Sequence, residues 1–232
     1  MAADHTDGAR RCQSATLRNV PRWRGRGIFT KNNARPIMKL ILASTSPYRA
    51  ALLQRLRIPF DTVDPQIDET PVPGEPPQDR ARRLAASKAD AVTAPDALVI
   101  GSDQVACLER QILRKPLTQD AAVQQLLACS GRVIRFSTAV SLRNTGSLWR
   151  DDRLVLCDVR LRDISKPEAE QYVRVDQPLR CAGSFKWESL GISLFRSIDT
   201  ADPTALEGLP LIALCDLLRE AGVPLPLLSE KI

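Results

Sequence analysis

The chain has 232 residues, 44% of them hydrophobic and 26% charged, with 33 lysines and arginines against 27 aspartates and glutamates. That length allows one large domain or two small lobes around a real core, and no apolar run approaches the roughly 18 residues of a membrane span. The formal charge of +6 suggests a nucleic-acid partner, but residues 1–37 hold eight of the bases and two of the acids, which is the whole excess, and residues 38–232 carry 25 of each.

The basic tail lacks apolar periodicity and is rich in arginine, asparagine and glycine. It reads as a disordered extension, as a nucleic-acid-binding arm, or as translated sequence ahead of the true start. Met38 opens the first strand-like segment and favours a dispensable extension over residues 1–37, with one domain over 38–232. The tail has no apolar stretch of secretory-signal type, although its arginine-rich, acid-poor text also suits an organellar transit peptide.

Two residue types narrow the chemistry. Six cysteines (Cys12, Cys107, Cys129, Cys157, Cys181 and Cys215) are scattered with no C-x-x-C, as expected of reduced thiols in a cytoplasmic protein. The single histidine, His5, lies in the tail. Ser-His and Cys-His nucleophiles and histidine-bound zinc are therefore disfavoured, leaving carboxylates, lysines, water or a hard metal held by oxygen.

In chain order, residues 39–43 (KLILA) predict a buried strand. Ser46 before Pro47 is a helix-start signal, with Leu52, Leu53 and Leu56 at helical spacing. A strand–turn–helix unit of this kind aims backbone N–H groups at one spot, and Ser44 and Arg49 beside it suit a phosphate. A second strand is expected over 58–64, then a proline-rich loop over 65–78 that holds Asp68 and Glu69. Asp79 is expected to cap a helix running to about Val92, with Ala81, Leu84, Ala85, Lys88 and Ala91 or Val92 on its inner stripe. A lysine there either snorkels to solvent or meets an anion in a polar cavity.

Residues 97–107 predict a central strand with Gly-Ser-Asp-Gln in its middle. A carboxylate inside a buried strand is costly unless bonded, paired or metal-bound, so Asp103 is the first catalytic candidate. Further on, the spacing predicts a short strand ending at Lys115-Pro116, a helix over 118–129, a hairpin of strands 133–143 and 153–162, and a helix opened by the Ser165/Glu168 capping box. A polar and aromatic loop over 181–188, a strand near 192–197 and a helix over 209–221 complete the chain.

Seven of these segments, in order, resemble the Maf-like nucleotide pyrophosphatase family and its 7-methyl-GTP branch: residues 42–49 (LASTSPYR), 68–71 (DETP), 101–105 (GSDQV), 115–118 (KPLT), 130–132 (SGR), 181–185 (CAGSF) and 208–212 (GLPLI). The resemblance covers residues 38 to about 230. It implies an α/β fold, an elongated mixed sheet with flanking helices and two lobes around a central cleft. It also implies hydrolysis between the α and β phosphates of a nucleotide, a divalent cation such as Mg²⁺ or Mn²⁺, and a homodimer. By the same resemblance Asp103 is the proton acceptor, and Tyr48, Gln104 and Glu188 set substrate choice. Ser44, Arg49, Lys88 and Lys115 bind phosphate, while Glu69 and Asp103 hold the metal. Ala50 stands where the family often carries a second arginine. The sister branch acting on dTTP and UTP would carry threonine in place of Gln104, and a non-catalytic nucleotide-binding regulator of cell division is the alternative outside catalysis.

Overall fold

The computed structural model describes residues 38–226; the expected extension over residues 1–37 lies outside them. The order of elements is β1 (Lys39–Ala43), α1 (Pro47–Gln54), β2 (Asp61–Val63), α2 (Pro77–Ala91), β3 (Ala97–Leu108), β4 (Gln111–Leu113), α3 (Gln119–Cys129), β5 (Val133–Asn144), β6 (Arg150–Leu161), α4 (Lys166–Asp176), β7 (Phe195–Thr200) and α5 (Leu211–Glu220). The strands form one mixed sheet in the order β2-β1-β3-β5-β6-β7, with β4 paired to β3. β1 runs parallel to β2 and β3, and the other pairings are antiparallel. None of the described helices is long and apolar enough to cross a membrane.

Most expected elements are present with shifted ends. α2 starts at Pro77 with Pro76 in the capping position, so Asp79 sits in its first turn rather than at its cap. Proline has the φ that a helix start needs, and an acid in the first turn still favours the helix dipole. The inner stripe of α2 includes Ala89 and then Val92, while Ala91 faces solvent. The second strand is only three exposed residues at the sheet edge. The strand expected near 192–197 is displaced to β7, because Leu190–Leu194 forms a 3₁₀ turn.

The two faces of β3 explain where the site lies. Successive side chains alternate across a strand. On one face Leu98 and Ile100 join an apolar cluster with β1, α1 and α5, and Ala106 and Leu108 join another with α3 and α4. Ser102 and Gln104 form a polar seam between these two clusters. On the other face Gly101 and Asp103 lie under α2. A Cβ at Gly101 would stand 2.0 Å from the Ala85 carbonyl oxygen and 2.6 Å from the Ala89 nitrogen. The helix backbone thus rests directly on the strand, which brings Lys88, between those two contacts, down to Asp103.

A second fixed element is the 3₁₀ turn Pro203–Glu207. Buried Asp202 holds it. Its Oδ1 accepts from Thr204 N at 3.1 Å and Thr204 Oγ1 at 2.6 Å, and its Oδ2 accepts from Ile212 N at 2.7 Å and Ala213 N at 3.3 Å, at the start of α5. One carboxylate therefore satisfies open helix-end donors and fixes the preceding turn. Replacing Gly101 with alanine forces backbone against backbone. We expect a stability loss of about 3 kcal/mol or failure to fold, at the upper end of overpacking costs. Urea unfolding of Gly101→Ala checks this, and an unchanged midpoint would contradict the close approach.

Candidate active site

A cleft of about 960 Å³ is lined from both faces of β3, and all nine residues singled out in the sequence line it: Ser44, Tyr48, Arg49, Glu69, Lys88, Asp103, Gln104, Lys115 and Glu188. Its centre is an ion triad. Lys88 Nζ lies 2.6 Å from Asp103 Oδ1 and 2.8 Å from Glu69 Oε1. The Lys88 and Asp103 side chains are only 8% and 11% exposed, so the two charges meet out of water, whereas Glu69 is 55% exposed. The inward lysine of the α2 stripe meets an anion and does not snorkel.

Glu69 is not left to the proline-rich loop alone. Arg80 Nη2 donates to its carbonyl oxygen at 3.0 Å, and Arg83 forks onto Glu75 at 2.6 and 2.8 Å, so two arginines of α2 bind the loop down. Burial pushes the Glu69 carboxyl up, but the hydrogen bond and charge of Lys88, with Arg49 and Lys115 farther off, outweigh it and leave it below its ordinary value. It is a carboxylate at neutral pH.

The β1–α1 turn supplies the next group. Ser46 caps α1, its side chain accepting from Arg49 N at 3.4 Å. Ser44 Oγ, buried, accepts from Ser46 N at 3.1 Å and from Arg49 Nη1 at 3.4 Å. Arg49 Nε donates to the Gly208 carbonyl at 2.8 Å. Two of the five guanidinium N–H donors are thereby used and the others remain for a ligand. Burial lowers the Arg49 guanidinium from its ordinary value, and the charges of Asp103 and Glu69 oppose this.

Gln104 is held by the same turn as Arg49. Its Nε2 donates to Ala205 O at 2.7 Å, Thr138 Oγ1 at 3.1 Å and Leu206 O at 3.3 Å. The amide nitrogen is thus committed to protein, which leaves Oε1 as the atom of Gln104 open to a substrate. Ser102 Oγ lies 2.8 Å from both Gly208 O and Ala139 O and shares its single proton between the two carbonyls. The Pro203–Glu207 turn and Gly208 hold cleft residues in place, and no single residue announces them in the sequence. Only the Asp202-x-Thr204 pattern of a side-chain-stabilised turn hints at them.

The remaining residues sit at the mouth. Lys115 follows β4 and is exposed, with no ion-pair partner among the described residues. Tyr48 is 38% exposed, and burial, then Cys181 and Glu188, raise its phenol above the ordinary value, so it presents a neutral ring. Glu188 is exposed on the loop after the Ala182–Ser184 turn. Burial also raises the Cys181 thiol, with the charge of Glu188 adding to it. The one cysteine lining the cleft is therefore a neutral thiol and a poor nucleophile. The described cysteines are all unpaired.

Among the described residues no three histidine, cysteine or acidic side chains come together as a metal cage. The donor set present is two carboxylates, Glu69 and Asp103, that converge on one point occupied by Lys88. With Arg49 nearby, the four groups carry no net charge. Lys88 takes Glu69 Oε1 and Asp103 Oδ1, so a hard divalent ion would use the other oxygen of each carboxylate, with waters and phosphate oxygens completing its shell.

The family model described as "Maf-like protein" matches residues 39–221. A 7-methyl-GTP pyrophosphatase of Xanthomonas axonopodis pv. citri is 55% identical over 190 residues, which cover 81% of this chain and 99% of that protein. The protein of the same name from Pseudomonas aeruginosa is 49% identical, over 81% of this chain and 98% of its own length. The one from Polaromonas sp. is 50% identical, over 80% and 86%. With these matches spanning most of the described residues, the chain belongs to the Maf-like family.

Proposed function

We propose that this chain hydrolyses a nucleoside triphosphate between its α and β phosphates, releasing a monophosphate and pyrophosphate, with 7-methyl-GTP as the preferred substrate. The observation that carries the reading is the buried Asp103 carboxylate facing a cleft that also holds Lys88, Arg49 and Lys115. Relatives named 7-methyl-GTP pyrophosphatase, about half identical over nearly their whole length, support the substrate assignment. The reading carries with it a reducing, cytoplasmic setting, with which the unpaired thiols agree, and a homodimer.

Asp103 orients a water molecule and takes its proton as the water oxygen attacks the α-phosphorus. The new P–O bond forms on the monophosphate, and the bond to the bridging oxygen breaks with its electron pair leaving on pyrophosphate. Lys88 fixes the acid in one orientation, so its free oxygen Oδ2 is the one that meets the water. Arg49, with its unused N–H groups, forks onto phosphate oxygens, and Lys115 meets the leaving group as a point charge. Mg²⁺ or Mn²⁺ would be held by Glu69 and Asp103, and when bound it neutralises charge on the phosphate chain. A triphosphate brings roughly four negative charges, which the balanced protein groups alone do not offset. No covalent enzyme intermediate is needed, in keeping with neutral thiols and the lack of a histidine among residues 38–226.

The base is read at the mouth. 7-Methylguanine carries positive charge on its ring, for which the Tyr48 face offers a cation–π contact worth ~0.5–2 kcal/mol. Glu188 accepts hydrogen bonds from the guanine edge and offsets the ring charge, and Gln104 offers its Oε1.

Two outcomes test the reading. Asp103→Asn, which keeps the shape and removes the base, is expected to lower kcat by about 10²–10⁴-fold in a pyrophosphate-release assay; near-normal turnover would remove Asp103 from its role. Across 7-methyl-GTP, GTP, dTTP and UTP, kcat/KM is expected to favour 7-methyl-GTP over GTP by at least about tenfold, the scale of a ~1.4 kcal/mol contact. Equal values for all four nucleotides would discard the base assignment.

A further inference from the structure

Glu188 makes no hydrogen bond or ion pair with another described residue, yet a base-reading acid must be held in place. Its position is inherited from the turn that carries it, and that turn is fastened from behind by the end of α4. Three bonds do this. Lys186 N donates to the Tyr172 hydroxyl at 3.0 Å, Lys186 Nζ donates to the Asp176 carbonyl oxygen at 2.6 Å, and Ser189 Oγ donates to Asp176 Oδ1 at 2.6 Å. They grip the chain two residues before Glu188 and one residue after it. The turn is also closed on itself: Ser189 N donates to Lys186 O at 3.3 Å, and a Cβ at Gly191 would stand 2.3 Å from that same oxygen.

The anchoring groups belong to the core. Tyr172 is 3% and Asp176 8% exposed, and both face inward from α4, a helix that contributes no residue to the cleft lining. A buried carboxylate is costly to keep, and here the second oxygen, Oδ2, has no partner among the described residues. Packing alone would be served as well by an apolar residue. The Asp176 carboxylate acts on the Tyr172 phenol beside it and accepts from Ser189 Oγ, and the bond to Ser189 ends beside Glu188.

We propose that Tyr172 and Asp176 are positioning residues for base selection, acting through Lys186 and Ser189 to hold Glu188 against the substrate base. The proposal rests on the reading of Glu188 given above. It makes the C-terminal turn of α4, on the far side of the loop from the nucleotide, part of the specificity apparatus. Loss of one bond frees the turn, so Glu188 spends less time where it meets the base, while Asp103, Lys88 and Arg49 stay in place.

The experiment uses the full chain carrying Ser189→Ala, Ser189→Thr, Tyr172→Phe, Glu188→Gln or the pair Glu188→Gln/Ser189→Ala, with kcat and KM measured for 7-methyl-GTP and for GTP. Ser189→Ala and Tyr172→Phe are each expected to lower the ratio of kcat/KM for 7-methyl-GTP over GTP about tenfold, the scale of one hydrogen bond. The loss should fall on KM for 7-methyl-GTP and leave kcat for GTP within about twofold. Ser189→Thr, which keeps the hydroxyl, should restore the ratio, and Ser189→Ala should add nothing once Glu188 is Gln. If the ratio holds in Ser189→Ala and Tyr172→Phe but falls in Glu188→Gln, the clamp is wrong and the base reading stands. An equal fall in kcat for both substrates would show a general structural role and overturn the proposal. A ratio unchanged in Glu188→Gln would remove the base reading and the clamp with it.

Discussion

A single ammonium group between two carboxylates organises this cleft. Lys88 reaches Asp103 at 2.6 Å and Glu69 at 2.8 Å in a setting where water is largely excluded from the lysine and the aspartate. Neither of those charges would be tolerated there alone. Removing one partner of a buried pair typically costs 3–5 kcal/mol, because the other charge is left without compensation. Such a pair is weak evidence for stability as a goal, since apolar residues fill such space as well. Its value lies in placement, because it sets an ionised acid at the floor of a groove and leaves one of that acid's oxygens free for work.

Much of the fold serves that placement. Gly101 removes the side chain that would separate α2 from β3, and Lys88 descends onto the strand as a result. Arg80 and Arg83 bind the proline-rich loop to the same helix and so deliver Glu69. On the opposite face of β3, Gln104 engages the Pro203–Glu207 turn and Ser102 the carbonyl of Gly208 that follows it, the same carbonyl that orients Arg49. Asp202, locked onto Thr204 and the start of α5, keeps that turn rigid. Asp103, Lys88 and the Gln104 amide are thus set by neighbouring residues of one strand and by the two elements packed on its faces. A displacement of either element would reach the chemistry, because preorganised groups lose much of their effect when misplaced by about 1 Å.

The parts legible in the sequence are those with local causes. Ser46 with Pro47, and Ser165 with Glu168, announce helix starts because a capping side chain bonds within its own turn. Asp103 stands out because a carboxylate in an apolar strand must have a partner. Lys88 is half legible: its place on the stripe of α2 follows from periodicity, but whether it meets solvent or an anion depends on Gly101, thirteen residues away. Glu69 cannot be told from an ordinary loop acid, since what holds it is the pair of arginines on α2. The Pro203–Glu207 turn is the least legible, because it acts through backbone carbonyls on residues about a hundred positions earlier, and carbonyls leave no mark on the sequence. The misplaced start of α2 has a local cause too: Pro76 and Pro77 begin the helix ahead of Asp79, the better capping side chain.

Lys88 and Asp103 are expected to act as one unit. A double-mutant cycle on pyrophosphate release measures this directly, with Lys88→Gln, Asp103→Asn and the pair compared with the unaltered chain under saturating 7-methyl-GTP. Residues that work together are strongly non-additive, so the double variant is expected to be no slower than the slower single one, within about threefold. Losses that multiply, with the double variant slower by the product of the two single effects, would show that the lysine and the aspartate act independently and would contradict that expectation.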